Sequence, residues 1–160
     1  MIRPAAPADA RALARLHVAA WAETYPGLLP PETILAETEP GRRLWWERTL
    51  RQGAVRVALA PEAGFAALGA QRDDALRADG YAEEVHALYL LRAAQGRGLG
   101  RALLRAVWSG RPTTALVVEG VPACGFYEAV GARHRATRDE RIGTAPIRER
   151  VYAWEDGVLG

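Results

Sequence analysis

The run Val85-His86-Ala87-Leu88-Tyr89-Leu90-Leu91 is followed a few residues later by Gln95-Gly96-Arg97-Gly98-Leu99-Gly100, and then by a stretch whose apolar residues recur at helical spacing. A mostly apolar run of this length suits a central strand buried on both faces. A glycine-rich turn that opens straight into a helix lets the backbone approach a ligand, and its free N–H groups favour negative charge. Strand, turn and helix in this order point to an α/β sheet. The same residues exclude two other phosphate-binding motifs. A GxGxxG dinucleotide frame opened at Gly96 needs glycine where Arg101 stands, and an acid about 20 residues on, where an apolar strand follows instead. A P-loop needs a lysine, and all 21 basic residues here are Arg. The lack of lysine also removes Schiff-base chemistry with pyridoxal phosphate and protein-kinase chemistry. A glycine cluster serves equally as a tight turn with close helix packing, so by itself it leaves both readings open.

The 160 residues are 49% hydrophobic and 25% charged, which fits one domain spanning 1–160 with a core that needs no disulfide or structural metal. Cys124 is the single cysteine, and with His17, His86 and His134 it forms neither a CxxC nor an HExxH pair, so no metal is expected. The arginines are nearly offset by 19 acids, for a net charge of +2, which argues against a nucleic-acid partner. No apolar run approaches the ~18 residues of a membrane span, and a cytoplasmic protein with no membrane partner is expected.

Along the chain, Met1 to Pro4 reads as a short strand. Leu13, Leu16, His17, Ala20, Trp21 and Thr24 share one face of a first helix that ends near Tyr25-Pro26-Gly27. Pro30 to Gln52 carries a proline-initiated helical turn and a second helix closed by Gly53. Val55–Leu59 and Phe65–Ala70 form a hairpin around a turn at Pro61 to Gly64, and Asp73 to Gly80 reads as a polar loop. After the glycine turn, Leu99, Leu103, Ala106 and Val107 face one side of a helix while Arg97, Arg101 and Arg105 stripe the other. Ala115–Val118 is a strand, Pro122–Ala129 a short helix ended by Gly131, and Ala132–Glu140 and Arg148–Trp154 are two more strands. The expected order is β-α-α-β-β-β-α-β-α-β-β, a mixed sheet with helices.

Gln95, Gly98 and Gly100 match the Q/R-x-x-G-x-G/A signature of the GNAT superfamily of acyl-CoA N-acyltransferases, which this chain resembles. Downstream, Leu116-Val117-Val118-Glu119-Gly120, then Ala123, Phe126-Tyr127-Glu128 and Gly131, is similar to the family's second block. Upstream, Glu84 to Tyr89 and Trp21, Tyr25 and Gly27-Leu28-Leu29-Pro30 are similar to one bacterial subgroup. Arg92, Val121 and Gly125 depart from the Pro, Asn and basic residue common at those places. The resemblance implies a GNAT-like α/β fold with about six to seven strands and helices on both faces. It implies acetyl-CoA as cosubstrate, a small-molecule or peptide amine as acceptor, and C-terminal strands able to form a homodimer. Gln95, Gly96, Arg97, Gly98, Leu99, Gly100 and Arg101 would cradle the pyrophosphate. The strand before the loop would splay at a bulge, so that Leu88 to Leu90 pair with the pantetheine and the Leu90 N–H meets the thioester carbonyl.

Direct transfer needs a neutral amine, an oxyanion donor and a proton for the leaving thiolate. Tyr127 is the candidate donor to sulfur, because a phenol still carries its proton where a thiol has lost it. Glu84, at the start of the strand, is the candidate base, with His86 as substitute. Trp21 and Tyr25 could line an acceptor pocket together with His86, as aromatic faces attract cationic amines. Trp45 and Trp46 fit core packing better, His17 reads as a hydrogen-bonded core histidine, and Cys124 as a small helix residue. The arginines from Arg133 to Arg150 alternate with Asp139, Glu140 and Glu149 and read as the solvated face of two strands. The other functional reading is a CoA-binding module without catalysis.

Overall fold

The computed structural model describes residues 1–160. Its strands are β1 (Arg3–Pro4), β2 (Arg56–Ala60), β3 (Gly64–Ala70), β4 (Glu83–Leu90), β5 (Thr113–Val118), β6 (Arg133–Ile142) and β7 (Ala145–Trp154). They form one seven-stranded sheet in the order β1-β2-β3-β4-β5-β7-β6, antiparallel everywhere except between β4 and β5. The helices are α1 (Ala10–Thr24), α2 (Pro31–Leu35), α3 (Glu39–Gln52), α4 (Asp74–Ala78), α5 (Leu99–Val107) and α6 (Ala123–Ala129). The expected mixed α/β sheet is thus present, with seven strands.

Alternation along the strands divides the core. Ala58, Ala66, Leu68, Val85 and Ala115 point to the face covered by α5 through Leu103, Leu104 and Val107. Val57, Leu59, Phe65, Ala67 and Ala87 point to the other, covered by α1 and α3 through Leu13, Leu16 and Trp46. Helices therefore lie on both faces. No helix is long and apolar enough to cross a membrane.

Two expectations change. Asp73 to Gly80 is not all loop: the Asp73 carboxylate accepts from the Leu76 N–H at 3.0 Å and caps α4, whose Leu76 packs with Tyr81, Val151 and Ala153. The strands around the glycine turn also begin earlier than their apolar residues. Glu83 and Glu84 pair with Thr113 and Thr114, all four buried. Polar residues are tolerated there because each is bonded: Arg56 and Ser109 meet the Glu83 carboxylate, and Gln71 Nε2 donates to Thr114 Oγ1 at 2.8 Å.

Candidate functional site

A seam opens in the middle of the sheet. β4 pairs with β3 along its whole length, but with β5 only through Glu83–Val85 and Thr113–Ala115. The β3–β4 register passes from Ala67 opposite Ala87 to Leu68 opposite Val85, leaving His86 as a bulge. A bulge bends its strand and raises its twist, so the rest of β4 turns away from β5. The resulting cleft of about 570 Å³ is lined by His86–Leu90, Leu116–Val118, the end of α1, the glycine turn and α6. The Leu91 N–H donates to Ala63 O at 2.9 Å, toward β3. Alternation in an extended strand then turns the N–H groups of Leu90 and Leu88 the other way, into the gap, and Leu90 O on that side accepts from Gln95 Nε2 at 3.1 Å.

The glycine turn closes one end of this cleft. Gly96 and Gly98 have φ of +76° and +75°, and a Cβ on either would meet nothing within 4 Å. Gly98 is the N-cap of α5 and caps it with no side chain, so the first N–H groups of the helix lack protein partners. Open space, exposed amides and the positive end of a helix dipole fit a pyrophosphate. Gly100 differs: a Cβ there would meet Leu90 Cδ1 and Phe126 Cε2 at 3.1 Å. Gly100 thus serves close packing, while Gly96 and Gly98 leave open the space that a ligand would need. Gln95, Gly96, Gly98, Leu99, Gly100 and Arg101 line the cleft, whereas the exposed Arg97 does not.

Tyr127 lies on α6 in the wall of the same cleft. Its ring packs among Phe126, Tyr152 and Trp154, with centroids 5.5, 5.9 and 5.7 Å away. Its hydroxyl has no protein partner, and burial raises its pKa, so it keeps its proton at every working pH. Cys124, about one turn before Tyr127 on the same helix, is half-buried with Sγ 3.6 Å from Val118 O.

Glu84 is not brought to the cleft. Its carboxylate is buried, 2% exposed, and held by Arg72 through the backbone N–H at 3.2 Å, Nε at 3.2 Å and Nη2 at 2.7 Å. With both oxygens bonded to Arg72 and no place in the cleft lining, Glu84 does not reach an amine bound there, and the expectation of Glu84 as base is corrected on that geometry. His86 does line the cleft. A carbonyl can only accept, so the 2.9 Å contact with Ala70 O places the ring proton on Nε2 and leaves Nδ1 with its lone pair. Burial lowers the pKa of His86, which favours this neutral form.

Trp21 and Tyr25, expected at an acceptor pocket, line the cleft with Tyr89, whose hydroxyl is 2.9 Å from that of Tyr25. The Arg42 guanidinium lies 5.5 Å from the Trp21 ring centre, so this indole face already holds a cation of the chain itself. Trp46 is fully buried and donates from Nε1 to His17 Nδ1 at 3.3 Å, and Trp45 packs edge-on against it. Two carboxylates in the lining are absent from the candidates, Glu23 at the end of α1 and Glu149 on β7, and Glu149 stands in the sheet itself. Glu149 lay hidden in the charged run Arg148-Glu149-Arg150. Period-two reading places Glu149 on the face of Ile147 and Val151, both buried, and that was the signal available.

No family model matches the chain. The Bacillus subtilis (strain 168) protein named "Uncharacterized N-acetyltransferase YuaI" is 28% identical over 173 residues, covering 97% of this chain and 92% of that protein. Among solved structures, a GCN5-related N-acetyltransferase from Rhodopseudomonas palustris superposes with a TM-score of 0.73 at 18% identity, covering 97% of this chain and 94% of that one. Arabidopsis thaliana NAA60 in complex with acetyl-CoA gives 0.68 at 15% identity, covering 97% of this chain and 98% of that one.

Proposed function

We propose that the chain, which shares the fold of the GNAT N-acetyltransferases it is similar to, is a member of that superfamily, and that it moves an acetyl group from acetyl-CoA to an amine by direct attack within a ternary complex. The observation that carries this reading is the opening between β4 and β5, which joins the glycine turn to the acceptor side through the unpaired edge of β4. Acetyl-CoA supplies the activated acyl group as a thioester. Gly96, Gly98 and the first amides of α5 would bind its pyrophosphate, and the N–H groups of Leu88 and Leu90 would pair with the pantetheine arm.

Each remaining role falls to a group in the cleft. The Leu90 N–H would donate to the carbonyl oxygen as it gains charge, a contact that strengthens toward the transition state. His86 Nδ1 would accept the proton released by the amine, directly or through water. The new N–C bond forms as the C–S bond breaks, and Tyr127 would donate a hydrogen bond to the sulfur as it becomes thiolate. Burial makes Tyr127 a weak acid, so it stabilises this charge chiefly as a donor, and the thiolate takes its final proton from solvent.

The reading is tested by following free thiol while acetyl-CoA and a panel of amines are offered together. Release that requires both, with one acetylated amine per thiol, is expected. Acetyl-CoA binding without release for any amine would leave a CoA-binding module without catalysis.

A further inference from the structure

The acceptor side of the cleft carries a carboxylate that the transfer steps do not use. Glu149 stands on β7 opposite Val118 of β5 on one side and Arg138 of β6 on the other. Arg138 Nε donates to its Oε1 at 3.0 Å, while Oε2 has no partner in the protein. That guanidinium is shared: Nη1 lies 2.8 Å from Asp73 and Nε 3.8 Å from Glu140. Beside this group Arg72 is held by Glu84. Arg72 and Arg138 therefore face four carboxylates, those of Asp73, Glu84, Glu140 and Glu149, and the group carries excess negative charge. Elsewhere, Arg42 is paired with Glu37 at 2.6 Å, and Glu23, in the lining at the end of α1, accepts from the Arg92 backbone N–H at 2.6 Å. Burial raises the pKa of Glu149, as expected of a carboxylate whose charge is only partly met.

Around Glu149 the lining is apolar or aromatic, with Val118, Ile142 and Ile147 on the strands and Trp21, Tyr25 and Tyr89 across from them. The face of Trp21 is already covered by Arg42. A cationic acceptor thus finds its counter-charge at Glu149 and not on an indole ring.

We propose that Glu149 receives the acceptor's ammonium through Oε2, where it gives one proton to solvent before attacking as the free amine that then releases its second proton to His86, and that the acceptor is a primary amine on an apolar body with no carboxylate beside the nitrogen, an arylalkylamine being the simplest case. The proposal rests on the acetyltransferase reading and adds the substrate class to it. A carboxylate next to the amine would enter a group already short of positive charge. Further cationic groups on the acceptor would have to lie against Ile142 and Ile147. A flat or branched apolar body meets neither cost.

Two probes that differ in one group decide this: 2-phenylethylamine, and phenylalanine, which adds only the carboxylate. With acetyl-CoA saturating, kcat/KM for 2-phenylethylamine should exceed that for phenylalanine by on the order of 100-fold. In Glu149→Gln, which keeps an oxygen for Arg138, the value for 2-phenylethylamine should fall by at least about 30-fold, mainly through KM, with the acetyl-CoA KM and the thermal midpoint unchanged. The gap between the two probes should narrow as well. Equal use of both amines, or an unaltered KM in Glu149→Gln, overturns the proposal. Transfer to phenylalanine, a peptide or spermidine but not to 2-phenylethylamine overturns it while leaving acetyl transfer standing, and transfer to no amine overturns both.

Discussion

A phenol buried at the wall of a cleft, with no partner for its hydroxyl, needs a reason, and in the proposed transfer the leaving sulfur would supply one for Tyr127. A thioester sulfur is a poor acceptor and a thiolate a good one, so the bond gains strength as the C–S bond breaks. Tyr127→Phe keeps the ring packing against Phe126, Tyr152 and Trp154. It should lower kcat by on the order of 10²-fold while the acetyl-CoA KM and thermal midpoint stay put; a change under about threefold would return Tyr127 to a packing role. His17 shows the same physics at the other extreme, in the core. Its Nδ1 accepts from Trp46, and burial drives its pKa down to about 3. The unfolded chain binds this proton below its ordinary value of 6.5 and the folded one does not, so stability is full above that pH and is lost as pH falls toward 3. From pH 7 to 4.5 the loss from this group is about 3 kcal/mol. Urea unfolding of His17→Gln should show a shallower decline over that range than the parent; parallel curves would mean that His17 is protonated in the folded state.

At the scale of elements, the glycine turn and the bulged strand depend on each other. Gly96 and Gly98 adopt a left-handed backbone that side chains strain, and they leave open space over the start of α5. Gly98→Val adds strain and fills the position expected for the pyrophosphate. The rise in thermal midpoint given by acetyl-CoA should disappear, where a hundredfold excess over Kd is worth about 2.7 kcal/mol in the parent. An undiminished rise would place the cofactor elsewhere. The turn and its helix were legible because their pattern is local: an apolar run, glycines, then helical spacing. α4 was not, since five residues hold one buried leucine and a cap, too little periodicity to stand out from a polar stretch. Val121 shows another limit. Its side chain is 5% exposed, in an apolar cluster with Trp21, Tyr25 and Ile147, so an amide there would be buried among hydrocarbon groups. The reason for valine lies in packing that no single segment displays.

For the whole molecule, the order of strands and helices along the chain and the mixed sheet followed from alternation and from the strand-turn-helix unit, and helices on both faces from the resemblance, while the spatial order of the strands did not. The partners of charged groups did not. Glu84 lies twelve residues from Arg72 in the chain, yet that contact removes it from the cleft, and Glu149 enters the cleft only because β7 inserts between β5 and β6. Long-range pairing thus decides which carboxylate is a structural ion and which faces the acceptor. The central claim is that one opening between β4 and β5 brings cosubstrate and acceptor together, and a crystal structure of the chain with coenzyme A bound tests it most directly. The account predicts the pantetheine in the gap between His86–Leu90 and Leu116–Val118, its pyrophosphate on the amides of Gly96 to Gly100, and its sulfur within hydrogen-bond distance of the Tyr127 hydroxyl. Coenzyme A seated outside that gap, or a sulfur remote from Tyr127, would contradict it.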